Sequence, residues 1–244
     1  MPEVTERSIS SAWLKAIQLA SACPRKEASN LTVNIEDLKA TISPEDATIR
    51  AALDQALEEN DNFSVSTVAN TIFPSSLWRS DLPRGVLFER YLKLWPRISK
   101  VRQNRRGTYF QRMISYPDLS ESAFNQLEFV ISAYSSGTRR RSALQCGILA
   151  PNIDLNASPF QGFPCMQQVA FIPEGRSGLR ISALYPMHYL WARAYGNYLG
   201  LINLGRFMAF EMGLELTALT CIALVAKVDE PELAAPFLED ADAI

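Results

Sequence analysis

Between Met187 and Met212 the chain is apolar on nearly every side. Trp191, Ala194, Tyr198, Leu201, Gly205, Met208 and Met212 recur at three- and four-residue spacing. Leu190, Leu199, Ile202, Leu204, Phe207 and Phe210 fill most other faces. The spacing predicts one long helix over 187–212, and a helix this apolar must be buried on most sides. Gly196, Gly200 and Gly205 each cost about 1 kcal/mol of helix propensity relative to Ala. Their expected return is close approach of a neighbouring backbone. Gly213 is a natural C-cap, and Leu214 to Val228 alternates as a closing strand.

Upstream of that helix, Gly162 to Phe171 places a proline and a lone cysteine, Pro164-Cys165, before a run of strand formers. The turn Pro173-Glu174-Gly175-Arg176-Ser177-Gly178 and a second apolar run, Leu179 to Tyr185, complete a β-hairpin. Residues 9–20 read as an amphipathic helix, Leu31 to Ile35 as a strand, and Ser43-Pro44-Glu45-Asp46 as a helix start capped by Ser43. Val65 to Ala69 fits strand or helix. Residues 84–101 read as helix around Pro96, Asn104 to Gly107 as a turn, and Thr108 to Ile114 as a strand. Ala123 to Tyr134 reads as a further helix, and Ser142 to Leu149 as a strand entered from Arg139, Arg140 and Arg141. The expected class is α/β (α+β): a mixed or largely antiparallel sheet with a long buried helix and flanking helices. Residues 1–83 form an N-terminal mixed segment packed on a core of 84–228, with an acidic C-terminal tail over 229–244.

Composition removes several classes of function. The four cysteines, Cys23, Cys146, Cys165 and Cys221, show no metal-ligand spacing, and His188 is the one histidine. A Cys/His zinc site and a Ser-His-Asp triad are therefore not expected, and neither is any other metal. The N-terminus lacks the apolar run of a signal peptide, and no uninterrupted apolar stretch is long enough to span a membrane. The expected location is the cytoplasm, with free thiols. The net charge of −2 is neutral on partners, but its distribution is not. From Arg90 to Pro117 there are eight basic residues and no acidic one, a stretch that suits phosphate or nucleic acid.

A cysteine held at a strand entry by a rigid proline is a candidate thiolate nucleophile; the alternative is a buried small hydrophobe. Four elements stand in order: the turn Arg105-Arg106-Gly107-Thr108, the cluster Thr138-Arg139-Arg140-Arg141, the segment Pro164-Cys165-Met166-Gln167-Gln168-Val169-Ala170-Phe171, and a buried helix carrying Gly196-Asn197-Tyr198. That order resembles the thymidylate synthase family, which includes the pyrimidine-nucleotide hydroxymethylases. The resemblance covers about residues 85–228. It implies a thymidylate synthase-like fold, a homodimer, a pyrimidine nucleotide as ligand and methylenetetrahydrofolate as one-carbon donor.

The same resemblance implies that Cys165 is the thiolate that adds to C6 of the pyrimidine, its pKa lowered by nearby arginines. Asn197 would read the base, and Arg106, Arg139, Arg140 and Arg141 would hold phosphate, the last three across the dimer interface. His188, expected at the helix start, is a candidate for substrate contact or proton transfer. The chain also departs from the family. Tyr185-Pro186-Met187-His188-Tyr189 stands where the family has a phosphate arginine and a base-contacting aspartate. The helical insertion that carries a glutamate and folate-stacking tryptophans is reduced to 115–136. Two readings follow: a divergent enzyme of pyrimidine C5 one-carbon transfer, or a catalytically degenerate fold serving as a nucleotide sensor or a subunit of a nucleic-acid-binding complex.

Overall fold

The computed structural model describes residues 2–38, 44–117, 123–137, 140–158 and 163–241. Its elements are, in order, β1 (Glu3–Glu6), α1 (Ile9–Ser21), β2 (Glu27–Ile35), α2 (Ala47–Glu59), α3 (Val65–Ile72), α4 (Arg84–Ile98), α5 (Tyr109–Ile114) and α6 (Gln126–Ser135). They continue as β3 (Gln145–Gly147), α7 (Pro151–Asp154), β4 (Gln168–Glu174), β5 (Gly178–Tyr189), α8 (Tyr195–Met212), β6 (Glu215–Lys227) and α9 (Pro231–Ala241). The fold is mixed α/β, as the sequence predicts. All six strands form one sheet in the order β1-β2-β6-β5-β4-β3. Pairings β1–β2 and β5–β6 are parallel and the other three antiparallel. The N-terminal strands thus belong to the same sheet as the Cys165 hairpin.

One face of the sheet is closed by α8, α1 and their neighbours. Buried Leu31, Val33, Ile181, Ala183, Tyr185, Leu219 and Cys221 point into it. α8 sits at the centre of this layer because its glycines allow it to. A methyl on Gly200 would lie 2.7 Å from the Ala69 carbonyl oxygen of α3, and one on Gly196 would lie 2.6 Å from Val68 Cβ. The close backbone approach expected of these glycines is therefore present. Gly213 closes α8 in the left-handed conformation at φ 67°. On the other face, Ser182, Leu184, Thr220 and Ile222 are half-buried and Leu224 is exposed.

Several local expectations are corrected. Thr108 to Ile114 is helix, not strand, because the Thr108 side chain caps α5 by accepting from Gln111 N–H. The predicted strand Ser142 to Leu149 shrinks to Gln145–Gly147, preceded by a 3-10 turn over Arg141–Ala143. Asp46 caps α2 by accepting from Thr48 and Ile49 N–H; Ser43 lies outside the described residues. The long helix starts later than Met187. β5 runs to Tyr189, a π-helical turn spans Leu190–Ala194, and α8 follows. Asp229 caps that π turn, accepting from Trp191 N–H at 2.9 Å and Ala192 N–H at 3.2 Å. The expected acidic tail begins with this cap and continues as α9, whose Phe237 meets Trp13 and Trp191 edge-on.

Candidate functional site

Cys165 is half-buried just before β4, following a cis Phe163-Pro164 peptide. Its backbone is held from below. The buried Tyr109 hydroxyl accepts from Met166 N–H at 3.4 Å and from Cys165 N–H. Tyr109 also meets the Phe163 ring at 5.3 Å between centroids. Phe163 lies under the Arg112 guanidinium, 5.3 Å from its centroid.

Arg112 anchors this corner. It is buried on α5 and pairs with Asp154 through two bonds of 2.9 and 3.1 Å. It also donates to the Ile148 and Arg106 carbonyls at 3.3 and 3.0 Å. Asp154 accepts from Ala150 N–H at 2.7 Å as well. Gln126 reinforces the same corner, donating to the Arg112 and Gly147 carbonyls and accepting from Gly147 N–H. A buried charge pair is tolerated when its remaining hydrogen-bond capacity is met, and here the protein meets it. Five segments are tied together: the 104–107 turn, α5, the start of α6, β3 with its following loop, and the approach to Cys165.

The charge acting on the Cys165 sulfur comes from Arg193, in the π turn. Arg193 also covers the Phe63 ring at 5.1 Å. The effect of the site on the thiol corrects the sequence expectation. Burial pushes the Cys165 pKa up, and Arg193 opposes this without reversing it. The resting group is therefore a thiol.

Asn197 and His188 are brought together, but inside the core. His188 is a strand residue of β5 rather than a helix-start residue. Its Nε2 lies 3.0 Å from Asn197 Nδ2 and its Nδ1 lies 3.9 Å from Cys221 Sγ. The ring stacks on Tyr185 at 4.2 Å and meets Tyr198 edge-on at 5.8 Å. Burial lowers the His188 pKa to about 3, so the ring is neutral at physiological pH. The hydroxyls of Tyr185 and Tyr198 meet no hydrogen-bond partner among the described residues. The Asn197 amide nitrogen thus meets an internal histidine, and both side chains are buried.

Among the phosphate candidates, Arg106 is exposed at the turn beside Phe163. Arg140 and Arg141 are exposed ahead of β3, with Arg140 Nε donating to Ser142 Oγ at 3.0 Å. Arg139 lies outside the described residues. Arg140 borders a groove of about 500 Å³ with Phe124, Phe129, Gln145, Gln167 and Gln168. Gln167 and Gln168 follow Cys165 in the chain, but Cys165 itself does not line this groove. Sequence reasoning missed Arg193, Tyr109 and the Arg112–Asp154 pair. The single usable signal was Arg112, a lone arginine among the apolar residues Tyr109, Phe110, Met113 and Ile114.

Among the described residues no group of three or more His, Cys, Asp or Glu side chains is arranged to hold a metal ion. No described helix is long and apolar enough to cross a membrane. No protein-family model matches the chain, and no curated protein matches it in sequence.

Proposed function

We propose that this chain is a thymidylate synthase-like protein that binds a pyrimidine nucleotide and attacks it through Cys165, leading to one-carbon transfer at C5. The observation that carries the reading is the setting of Cys165: a half-buried sulfur at a hairpin mouth, under the charge of Arg193, on a backbone held by Tyr109. Attack of the thiolate on C6 moves the ring electrons to C5, which then attacks an electrophilic carbon. Loss of the C5 proton expels the sulfur and restores the ring. Arg193 favours the thiolate against the opposing effect of burial. Arg140 and Gln168, which line the groove beside β3, carry charge-assisted and amide hydrogen-bonding groups of the kind a nucleotide uses.

The folate donor implied by the resemblance is not carried into this proposal. The family's insertion, with its glutamate and tryptophans, has as its described counterpart here only Tyr116, Pro117, Ala123 to Asn125 and α6. The donor is therefore proposed only as an electrophilic one-carbon unit. The homodimer has a candidate surface in the open sheet face around Leu184, Ile222 and Leu224. Sedimentation at micromolar concentration tests it.

A second reading, a catalytically degenerate nucleotide sensor, is favoured by one observation. Asn197, the expected base reader, is committed to His188. Incubation with 5-fluoro-pyrimidine nucleotides and methylenetetrahydrofolate, followed by intact mass and peptide mapping, separates the two. An adduct on Cys165 is the expected result. Nucleotide-dependent thermal stabilisation without an adduct, unchanged in Cys165→Ser, selects the sensor.

A further inference from the structure

The basic stretch that the nucleotide reading leaves unused has a definite shape. On α4, Arg90, Lys93 and Arg97 are all exposed. At 3.6 residues per turn they fall within roughly 60° of the helix circumference, along about 10 Å of its axis. Exposed Lys100, Arg102 and Arg105 continue the line through the following turn. Among the described residues, Lys93, Arg97, Lys100, Arg102 and Arg105 have no ion-pair partner. Arg90 acts on Asp81 only at longer range, and that carboxylate is already held by Arg79 at 3.0 Å. By contrast, Arg50, Arg84, Arg112 and Arg180 each hold carboxylates. A line of like charges left unpaired in one place raises the local potential and favours a polyanion.

The pattern selects among polyanions. A helix that lies on an anionic membrane needs an exposed apolar face beside its cations. Here the exposed leucines, Leu92 and Leu94, are about 160° apart around the helix and lie on either side of the buried strip, so they form no common face. The line also leads somewhere. It ends in the 104–107 turn, where a methyl on Gly107 would lie 3.2 Å from the Phe163 ring, two residues before Cys165.

We infer that α4 and the turn after it bind the sugar–phosphate backbone of single-stranded nucleic acid and lead the strand toward Cys165. A base must be unpaired and out of its stack for a sulfur to reach C6, which is why the single strand is the form expected. The basic surface itself stands without the proposed chemistry; the single-stranded form and the direction toward Cys165 rest on that reading.

The test titrates full-length protein into fluorescein-labelled 20-nucleotide single strands of DNA and RNA, a 20-base-pair duplex and phosphatidylserine vesicles. Anisotropy of the nucleic acids and co-sedimentation with the vesicles are measured at several salt concentrations. With six backbone contacts, log K against log[salt] has an expected slope of about −4 for single strands. The triple variant R90E/K93E/R97E should bring it to about −2 and weaken binding at least tenfold. All three residues are exposed, so circular dichroism should be unchanged. No saturable single-strand binding at low salt, equal or tighter duplex binding, or an unaffected triple variant overturns the inference. Vesicle binding in place of oligonucleotide binding does the same. The Cys165 adduct with mononucleotides is read separately. Loss of binding with the adduct intact sinks this surface alone, and binding with no adduct sinks the chemistry alone.

Discussion

Two buried polar assemblies flank the Cys165 hairpin, and they are built on opposite terms. The Arg112–Asp154–Gln126 assembly is charged and, beyond the two Arg112–Asp154 bonds, closes its hydrogen bonds on backbone groups of neighbouring segments. The His188–Asn197–Tyr185–Tyr198 cluster is neutral, held largely by ring stacking, and leaves two phenol hydroxyls unpartnered. The first fixes irregular backbone that no secondary structure would fix, and so it determines where Cys165 sits. The second lies between regular elements, β5, β6 and α8, that are already held by sheet pairing and glycine-mediated contact. The difference shows that polar burial near a candidate site is not itself evidence of function. What matters is whether the group orders the reacting segment or only fills the core.

Breaking the charged assembly should have the largest effect. Asp154→Ala leaves the Arg112 guanidinium buried and uncompensated, with an expected loss of about 3–5 kcal/mol in urea unfolding. A loss under about 1 kcal/mol would mean that the corner relaxes and does not fix the Cys165 approach.

The neutral cluster should respond to pH. The folded-state pKa of His188 lies at about 3, below the ordinary histidine value of 6.5, so the unfolded state binds the proton more readily. Stability is fully present above pH 6.5 and falls as pH drops toward 3. The loss between pH 6.5 and 5 is about 2 kcal/mol from this group. In His188→Gln that slope should disappear; an unchanged slope would place its origin in another group.

The smallest effect is expected at the unpartnered phenol. Tyr185→Phe removes a buried hydroxyl that makes no bond, so stability should stay level or rise by up to about 1 kcal/mol. A loss above 1 kcal/mol would show that the hydroxyl is satisfied in solution and that the contrast between the two assemblies is overstated.

Regular elements were legible where a local pattern and a packing requirement agreed. The α8 glycines predicted close approach to a neighbour, and α3 supplies it. The hairpin followed from its turn residues and two apolar runs. Local patterns failed where burial was continuous. Tyr109, Phe110, Arg112, Met113 and Ile114 are all buried, so neither helical nor strand periodicity stands out, and only the Thr108 cap decides for helix. The long helix was expected from Met187, which instead sits within β5, and the π turn that carries Arg193 has no sequence signature. The Arg112–Asp154 pair joins residues 42 positions apart, beyond the reach of spacing arguments.

The central claim is that Cys165 is a positioned nucleophile under the charge of Arg193 in a nucleotide site. The most direct test is the pH profile of Cys165 alkylation, followed by peptide mapping in wild type and Arg193→Gln, with and without a pyrimidine mononucleotide. The account predicts an apparent pKa above that of an ordinary cysteine, a further upward shift in Arg193→Gln, and protection by nucleotide. A profile that ignores both the Arg193 substitution and the nucleotide would contradict it.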